Sequence, residues 1–311
     1  MTNAETVTFF AENYKLIFSN LNNHDKKIFI GNKNNRTCRF CGGQKPEVTF
    51  RNNAHAIPEF LGNKRVLLLE ECDACNGYFS EGIEDNLDKF TRPIRTIGLI
   101  KGKKKVPGYK TNDNKSKLAV NAQHGISIIE KTGSNKHIMS IDEDSRRLVI
   151  TFKLEPYIPS AVYKCLAKIA LSVMPNEELF FFRKAISWVR SENHAKIISP
   201  QVVIITFAPG RYTKPALIVL RRKHNNANVP YCILVIGFGN FVFQLIVPSD
   251  KDGISGQTIK LKMPRFPNPL ETEEGSNKRQ YGRVDLSSHE VVTGSIIPIQ
   301  FEYEHLERTI M

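Results

Sequence analysis

The sequence predicts an α+β protein in which a small strand–strand–helix unit precedes a larger domain of mainly antiparallel strands. Two Cys-x-x-Cys pairs enclose the first unit, at residues 38–41 and 72–75. After about residue 118, short apolar runs separated by turn residues predict strands, and two amphipathic stretches predict helices. With 311 residues, 41% of them hydrophobic, the chain can bury a sizeable core.

The N-terminal segment, residues 1–27, predicts a helical extension because apolar residues recur there at helical spacing. These residues are Phe9, Phe10, Tyr14, Ile17 and Phe18. A short strand in KKIFI follows and opens the unit that extends over residues 28–117. Residues 101–117 are basic, polar and broken by Gly and Pro, which predicts an exposed loop or linker at the end of this unit.

Four cysteines predict one structural zinc site. Cys38, Cys41, Cys72 and Cys75 provide four thiolates, the complement of a tetrahedral Zn²⁺ ion. In a reducing compartment such pairs indicate metal binding rather than disulfides. Between the pairs the sequence predicts a strand, a loop at Gly62-Asn63 and a second strand, and it predicts a helix after the last cysteine. Zinc would therefore hold a strand–strand–helix unit at both ends.

Residues 118–311 predict an α+β domain in which we find no catalytic motif. The predicted strands are LAVNA, ISIIE, HIMSI, RRLVITFKLE, QVVIITFAP, PALIVLRRK, YCILVIGF, NFVFQLIVP and IIPIQFEYE. YIPSAVYKCLAKIALSVM and NEELFFFRKAISWVR each predict an amphipathic helix. Gly239-Asn240 predicts a hairpin turn. Cys165 and Cys232 have apolar neighbours and are expected to be buried.

The charge balance favours a polyanionic partner. A net charge of +13 points to nucleic acid first and to an anionic membrane surface second. The apolar stretch from Cys232 to Pro248 is interrupted by Gly, Asn and Gln and is too short to span a membrane. The first ten residues lack the basic and apolar regions of a signal peptide, so a cytoplasmic protein is expected.

The segments CRFCG, AHAIPEFLGN and ECDACNGYFSEGIE resemble the HNH endonucleases, the ββα-metal nuclease family, of the type with paired Cys-x-x-Cys zinc knuckles. The resemblance covers about residues 28–110. It implies that His55 is a general base, that Asn63 orients it and that Asn76 binds a catalytic Mg²⁺ or Mn²⁺. It further implies hydrolysis of phosphodiester bonds, with double-stranded DNA as the expected substrate, in bacterial restriction or anti-phage defence.

These residue types suit the implied chemistry. A neutral imidazole that titrates near neutrality can activate water, and Mg²⁺ prefers oxygen ligands such as an amide. One position departs from the family pattern, because many members carry Asp or Glu directly before the histidine, where this chain has Ala54. Other donors would then be water, phosphate oxygens or another side chain. The side-chain candidates are Ser80, Glu84 and Glu59.

A set of basic residues is expected to contact DNA phosphates: Lys64, Arg65, Lys101, Lys103, Lys104 and Lys105. Arg36, Arg39 and Arg51 flank the same motif and could do so too. For each of these residues a solvated surface position is the alternative. Likewise His55 could be a structural histidine, Asn63 a turn residue and Asn76 a helix N-cap.

Three other functions stay open at the level of sequence. The first is a zinc-dependent DNA-binding module without catalysis, for which Ala54 is the best indication. The second is a nuclease gated by a ligand of the C-terminal domain. The third is an interaction scaffold, against which the net charge of +13 argues. A homodimer is a plausible assembly, since cutting both strands of a duplex calls for two sites.

Overall fold

The computed structural model describes residues 3–21, 26–111, 115–121, 125–130, 138–198, 200–225, 228–252, 261–267 and 281–303. The helices are α1 (Asn3–Asn13), α2 (Asp73–Phe79), α3 (Asp85–Ile97), α4 (Pro159–Val173), α5 (Asn176–Leu179) and α6 (Arg183–Arg190). Single helical turns lie at Glu59–Leu61, Ser80–Glu84, Phe180–Phe182 and Asp250–Asp252, and the second of these has π-helical geometry.

The strands lie in several small sheets. They are β1 (Tyr14–Ser19), β2 (Ile28–Ile30), β3 (Ala54–His55), β4 (Val66–Leu68), β5 (Tyr109–Lys110), β6 (Ser116–Asn121), β7 (Gly125–Glu130), β8 (Met139–Asp142), β9 (Arg147–Lys153), β10 (Val202–Arg222), β11 (Cys232–Ile246), β12 (Tyr281–Asp285) and β13 (Ile296–Glu302). The sheet orders are β1–β10–β11 with β12 also on β10, β13–β9–β8, β5–β6–β7 and β2–β4–β3. Among these pairs only β2 and β4 are parallel, which confirms the predicted α+β class with mainly antiparallel strands.

Helix α4 lies at the centre of the main core. All of its residues are buried, although its sequence predicts an amphipathic helix with one solvated face. One side of α4 packs on the cysteine unit, by which we mean residues 28–100, and the same core continues into β10 and β11. Because α4 is covered on every side, its two lysines, Lys164 and Lys168, are fully buried and need polar partners inside the protein.

The predicted N-terminal helix is too long. Helix α1 ends at Asn13, and residues 14–19 form strand β1, which pairs antiparallel with residues 218–222 of β10. The Tyr14 hydroxyl donates to the carbonyl of Pro230 at 3.0 Å and helps to hold this edge of the sheet. Pairing with a strand about two hundred residues away along the chain thus overrides the local helical periodicity.

The predicted hairpin turn at Gly239-Asn240 is also wrong. Both residues lie inside β11, and the strands predicted on either side of Pro209 form the single long strand β10. Pairing is regular up to Phe207 opposite Phe241 and then shifts, so that Tyr212 lies opposite Gly239. Between these pairs β10 has more residues than β11, so β10 bulges opposite Gly239 and β11 continues without reversing the chain.

Two further boundaries differ from the sequence prediction. The stretch NEELFFFRKAISWVR is divided into α5, a tight turn and α6. The loop predicted at residues 101–117 contains β5 and the start of β6. Within the described residues no helix combines the length and apolar character needed to cross a bilayer.

Candidate metal centre and active site

The four cysteines of the two Cys-x-x-Cys pairs converge on one point. The sulfur atoms of Cys38, Cys41, Cys72 and Cys75 all lie within 4.8 Å of one another, and those of Cys41 and Cys72 are 3.7 Å apart. In a tetrahedral site with Zn–S bonds of about 2.3 Å, neighbouring sulfurs lie about 3.8 Å apart. The donor set and its spacing therefore fit a structural zinc ion.

Backbone N–H groups already surround these sulfurs. Gly43 N donates to Cys41 Sγ at 3.4 Å, and Cys72 N donates to Cys38 Sγ at 3.5 Å. A hydrogen bond with Cys75 lowers the pKa of Cys38 to about 4, whereas the same contact raises the pKa of Cys75. The crowded sulfurs thus resist ionising together, and a bound dication would allow all four to be thiolates.

Asp73, the first residue of α2, connects this metal centre to the strand that carries the histidine. Its carboxylate accepts hydrogen bonds from Thr49 Oγ1 at 2.5 Å, Arg51 N at 3.0 Å and Asn52 N at 3.1 Å. Residues 49–52 lead directly into β3, so Asp73 fixes the approach to His55 against the start of the helix. Sequence reasoning missed this residue because two of its three partners are backbone groups, which no sequence pattern marks.

His55 ends β3 and pairs with Leu67 of the antiparallel strand β4. Its side chain is half-buried. Burial lowers the pKa of His55 below its usual 6.5, and the charges of Lys168 and Lys103 act in the same direction, while Glu59 and Glu84 oppose them. At neutral pH the imidazole is therefore mainly neutral, the form in which it can accept a proton.

Asn63 is buried, with 2% of its surface exposed, and fixes the loop before β4. Its amide nitrogen donates to Ile57 O at 2.7 Å and to Val66 O at 2.9 Å. Its amide oxygen accepts from the backbone N–H groups of Arg65 and Val66, both at 3.0 Å. The two carbonyls use both amide hydrogens, so the 3.5 Å approach of Asn63 Nδ2 to His55 Nδ1 is a packing contact.

Asn76 lies in the first turn of α2, with its side chain partly exposed. The N-cap of this helix is Cys72, whose sulfur accepts from Cys75 N, so the alternative reading of Asn76 as the N-cap is excluded. Asn76 N donates to Cys72 O at 2.9 Å. Its side-chain amide has no hydrogen-bond partner in the described part of the chain, which leaves the oxygen available to a ligand.

Three side chains could replace the acidic metal ligand that is absent at Ala54, and they differ in position and in availability. Glu84 comes eight residues after Asn76, and at about 1.5 Å per residue the two are about 12 Å apart along the helix. The Glu84 carboxylate is moreover paired with the buried Lys168, since Glu84 Oε1 lies 3.2 Å from Lys168 Nζ. Glu59 lies in the turn after β3 and its charge acts on His55. Ser80 is exposed and offers only a neutral hydroxyl.

A buried ionic cluster joins the cysteine unit to α4. Lys168 Nζ lies 3.0 Å from Glu71 Oε2 and 3.2 Å from Glu84 Oε1, and both Lys168 and Glu71 are fully buried. Burial alone would lower the pKa of Lys168, but the two carboxylates outweigh it and raise that pKa. The ammonium also lies over the rings of Phe40 and Phe79, at 5.9 and 5.2 Å. The sequence signal for this cluster was a pair of lysines in an otherwise apolar helix.

The arginine between the first two cysteines is structural. Arg39 Nη1 donates to the carbonyls of Leu171, Ser172 and Met174 at the end of α4, and Arg39 Nη2 pairs with Glu70 at 2.8 Å. Its side chain is only 2% exposed, so it does not contact a nucleic acid. This position corrects the expectation that Arg39 binds phosphate.

The basic residues expected to contact DNA do lie at the surface. Lys64, Lys101, Lys103, Lys104 and Lys105 are exposed, and Arg65 is half-buried. The backbone of Gly102 packs on Phe60, since a Cβ at Gly102 would lie 3.3 Å from Phe60 Cα. This contact brings the basic loop close to the histidine, in agreement with the effect of Lys103 on the pKa of His55.

Comparison with known families supports the nuclease resemblance. Residues 38–91 match the model of the HNH endonuclease family, and this segment contains the four cysteines together with His55, Asn63 and Asn76. The resemblance predicted from the sequence is thereby confirmed for this part of the chain, which supports a nuclease of the HNH type. Searches of curated proteins and of solved structures return no match.

Proposed function

We propose that the protein is a metal-dependent endonuclease that hydrolyses phosphodiester bonds in DNA. The observation that carries this proposal is the placement of His55, whose half-buried imidazole has a lowered pKa at the end of β3, in the segment between the two cysteine pairs. A neutral imidazole beside a metal-held helix is suited to taking a proton from water. The net charge of +13 supports a polyanionic substrate.

In this proposal each residue has a separate task. His55 Nε2, the ring nitrogen away from Asn63, accepts the proton of the attacking water. The four hydrogen bonds of Asn63 keep the loop next to β3 in place. Asp73 holds the strand of His55 against the helix start, and the zinc ligands fix that helix start in turn.

A catalytic Mg²⁺ or Mn²⁺ would take the oxygen donors that this part of the chain offers. When bound, such an ion supplies counter-charge for the phosphate oxygens and for the leaving oxygen. Asn76 contributes an amide oxygen that has no other partner in the described residues, and we assign Glu59 as the nearby carboxylate. The proposed biological setting is bacterial restriction or anti-phage defence, with a homodimer where both strands are cut.

The decisive test is cleavage of supercoiled plasmid by the purified, zinc-loaded protein with added Mg²⁺ or Mn²⁺, and without added metal. Omitting the metal is preferable to a strong chelator, which would also remove zinc. His55→Ala should lose cleavage and keep its zinc content, whereas His289→Ala, at an exposed histidine, should cut like the parent. Undiminished cleavage by His55→Ala would disprove the assigned base.

The assignment of Glu59 as a metal ligand is tested by comparing two variants that each remove one negative charge. Glu59→Gln should raise the Mg²⁺ concentration that gives half-maximal cleavage, because an oxygen donor of full charge is lost. Glu81→Gln removes the same charge at an exposed position in the turn after α2 and should leave that concentration unchanged. If both variants needed the same Mg²⁺ concentration for half-maximal cleavage, Glu59 would be excluded as a metal ligand.

The second candidate function is a zinc-dependent DNA-binding module without catalysis. It is favoured by Ala54, which is buried and places a methyl group where related nucleases carry an acid. This alternative predicts DNA binding that weakens with salt and no cleavage with any divalent metal. A nuclease gated by a ligand of the C-terminal domain would instead cut once that ligand is supplied.

A further inference from the structure

A cavity of about 340 Å³ opens at the junction between the cysteine unit and the long hairpin of β10 and β11. Residues 61–66 and 99–101 form one side, and residues 211–215, in the bulge of β10, form the other. The two sides meet at Gly62, where a Cβ would lie 3.3 Å from Ile100 Cγ2 and 3.8 Å from Pro215 Cδ. The cavity therefore exists only where the two parts of the chain pack together.

Hydrogen bonds fix the walls of this cavity. Asn63 holds residues 65 and 66 through its amide oxygen, as described above. Asn20 does the same on the opposite wall, because it donates to Pro215 O at 2.9 Å and accepts from Leu217 N at 2.6 Å. Arg211 donates to Leu99 O at 3.0 Å and so spans the two walls. The cavity is thus preformed, which lowers the entropy lost when a ligand binds.

The lining is strongly basic. It includes Lys64, Arg65, Lys101, Arg211 and Lys214. No aspartate or glutamate is among the described residues that line it. Five cationic side chains around a small cavity without a carboxylate create a positive potential that attracts an anion such as a phosphate group.

Among the described residues that line the cavity, an aromatic platform for stacking a nucleobase could come only from Tyr212. Tyr212 is the aromatic residue in its lining, and its ring lies against the backbone of Gly237, since a Cβ there would be 2.6 Å from Tyr212 Cε2. Recognition of a free nucleotide or of an unpaired base commonly uses an aromatic face for stacking. The volume is at the small end of ligand cavities, so one sugar-phosphate unit fits it better than a larger group.

We infer that this cavity binds a backbone phosphate of the nucleic acid that flanks the bond to be cut, with Arg211 and Lys214 contributed by the bulge of β10. The location supports this assignment, because Asn63 lines the cavity and also contacts the ring of His55. The β10 bulge thereby becomes part of the substrate track, although it lies far along the chain from the family-matched segment. This inference rests on the proposed function, in which the substrate is DNA.

The test measures DNA binding separately from cleavage. The double variant Arg211→Gln, Lys214→Gln is compared with Lys184→Gln, Lys196→Gln, which removes the same charge at exposed positions outside the cavity. Each zinc-loaded protein is titrated with a short fluorescent duplex at several salt concentrations, without Mg²⁺ or Mn²⁺. The slope of log K against log salt should become shallower by about 1 in the cavity variant, since the contact to one phosphate contributes about 0.9.

The outcomes distinguish failure of the cavity assignment from failure of the nuclease proposal. If the proposal is correct, the loss of affinity between 50 and 200 mM salt should be about 3.5-fold smaller in the cavity variant than in the parent, and the control variant should behave like the parent. If the parent binds DNA and the two double variants have equal slopes, the cavity assignment is wrong while the nuclease proposal stands. If the parent neither binds nor cuts DNA, both are wrong.

A second arm of the test distinguishes backbone phosphate from a free nucleotide. Deoxyadenosine monophosphate and inorganic phosphate are added to the parent and to the cavity variant, and thermal unfolding is followed. No shift in Tm at concentrations well above those used for the duplex is expected. A shift seen only in the parent, together with an unchanged duplex slope in the cavity variant, would overturn the assignment to DNA.

Discussion

Replacing Asn63 tests whether this residue supports the loop or orients the histidine. Asn63→Ala removes four hydrogen bonds to buried or partly buried backbone groups, two donated and two accepted. At about 1 kcal/mol of net stability for each, the free energy of unfolding should fall by about 4 kcal/mol. Because domains are stable by only about 5–15 kcal/mol, the variant should be markedly destabilised.

Urea unfolding of the zinc-loaded protein measures this change, with intrinsic fluorescence and circular dichroism as independent probes. Asn35→Ala, at an exposed asparagine in the loop before the first cysteine, is the matched control and should change stability by less than about 0.5 kcal/mol. If Asn63→Ala abolished cleavage at a cost below about 1 kcal/mol, the loop-support role would be refuted and direct orientation of His55 favoured.

Three other predictions follow from the same contacts. Because burial lowers the pKa of His55, the cleavage rate should fall only below pH 6.5 and should be constant above it. A rate that already falls above pH 6.5 would contradict the buried environment of His55. Cys72→Ser should lose bound zinc and unfold at lower urea, whereas Cys165→Ser, at a buried cysteine outside the cluster, should keep its zinc, as measured by metal analysis. Lys168→Met should lower the free energy of unfolding by about 3–5 kcal/mol because it leaves buried carboxylates unpaired. Lys164→Met leaves two carbonyls and one hydroxyl without this donor and should cost about 1–3 kcal/mol; an equal loss of stability in the two variants would argue against the ionic cluster.

The four-cysteine cluster was predictable because its ligands lie in two short sequence motifs. Two Cys-x-x-Cys pairs need only short turns to present their sulfurs, so their spacing already specifies a four-thiolate site. The order of strand, histidine, loop and second strand was predictable for a similar reason, since each element is bounded by its own turn residues. What the sequence did not show is that Asn63 directs its four hydrogen bonds to backbone groups and only packs against His55, because that depends on where those four groups lie.

The contacts between distant parts of the chain were not predictable. Residues 14–19 read as helix because the strand that they pair with lies about two hundred residues later. Gly239-Asn240 reads as a turn because the same residues permit either a reversal or a bulge, and the choice is made by the partner strand. Lys168 reads as the polar side of a helix because its acidic partners belong to a different element.

The capping of α4 by Arg39 has a consequence for anyone wishing to transplant the four-cysteine segment. A fragment cut after residue 117 would lose the helix end that Arg39 binds, and the ammonium that neutralises Glu71. It would also present the rings of Phe40 and Phe79 to water where α4 now covers them. The family-matched segment is therefore not expected to fold when it is moved into another protein by itself, and fusions or truncations should keep α4.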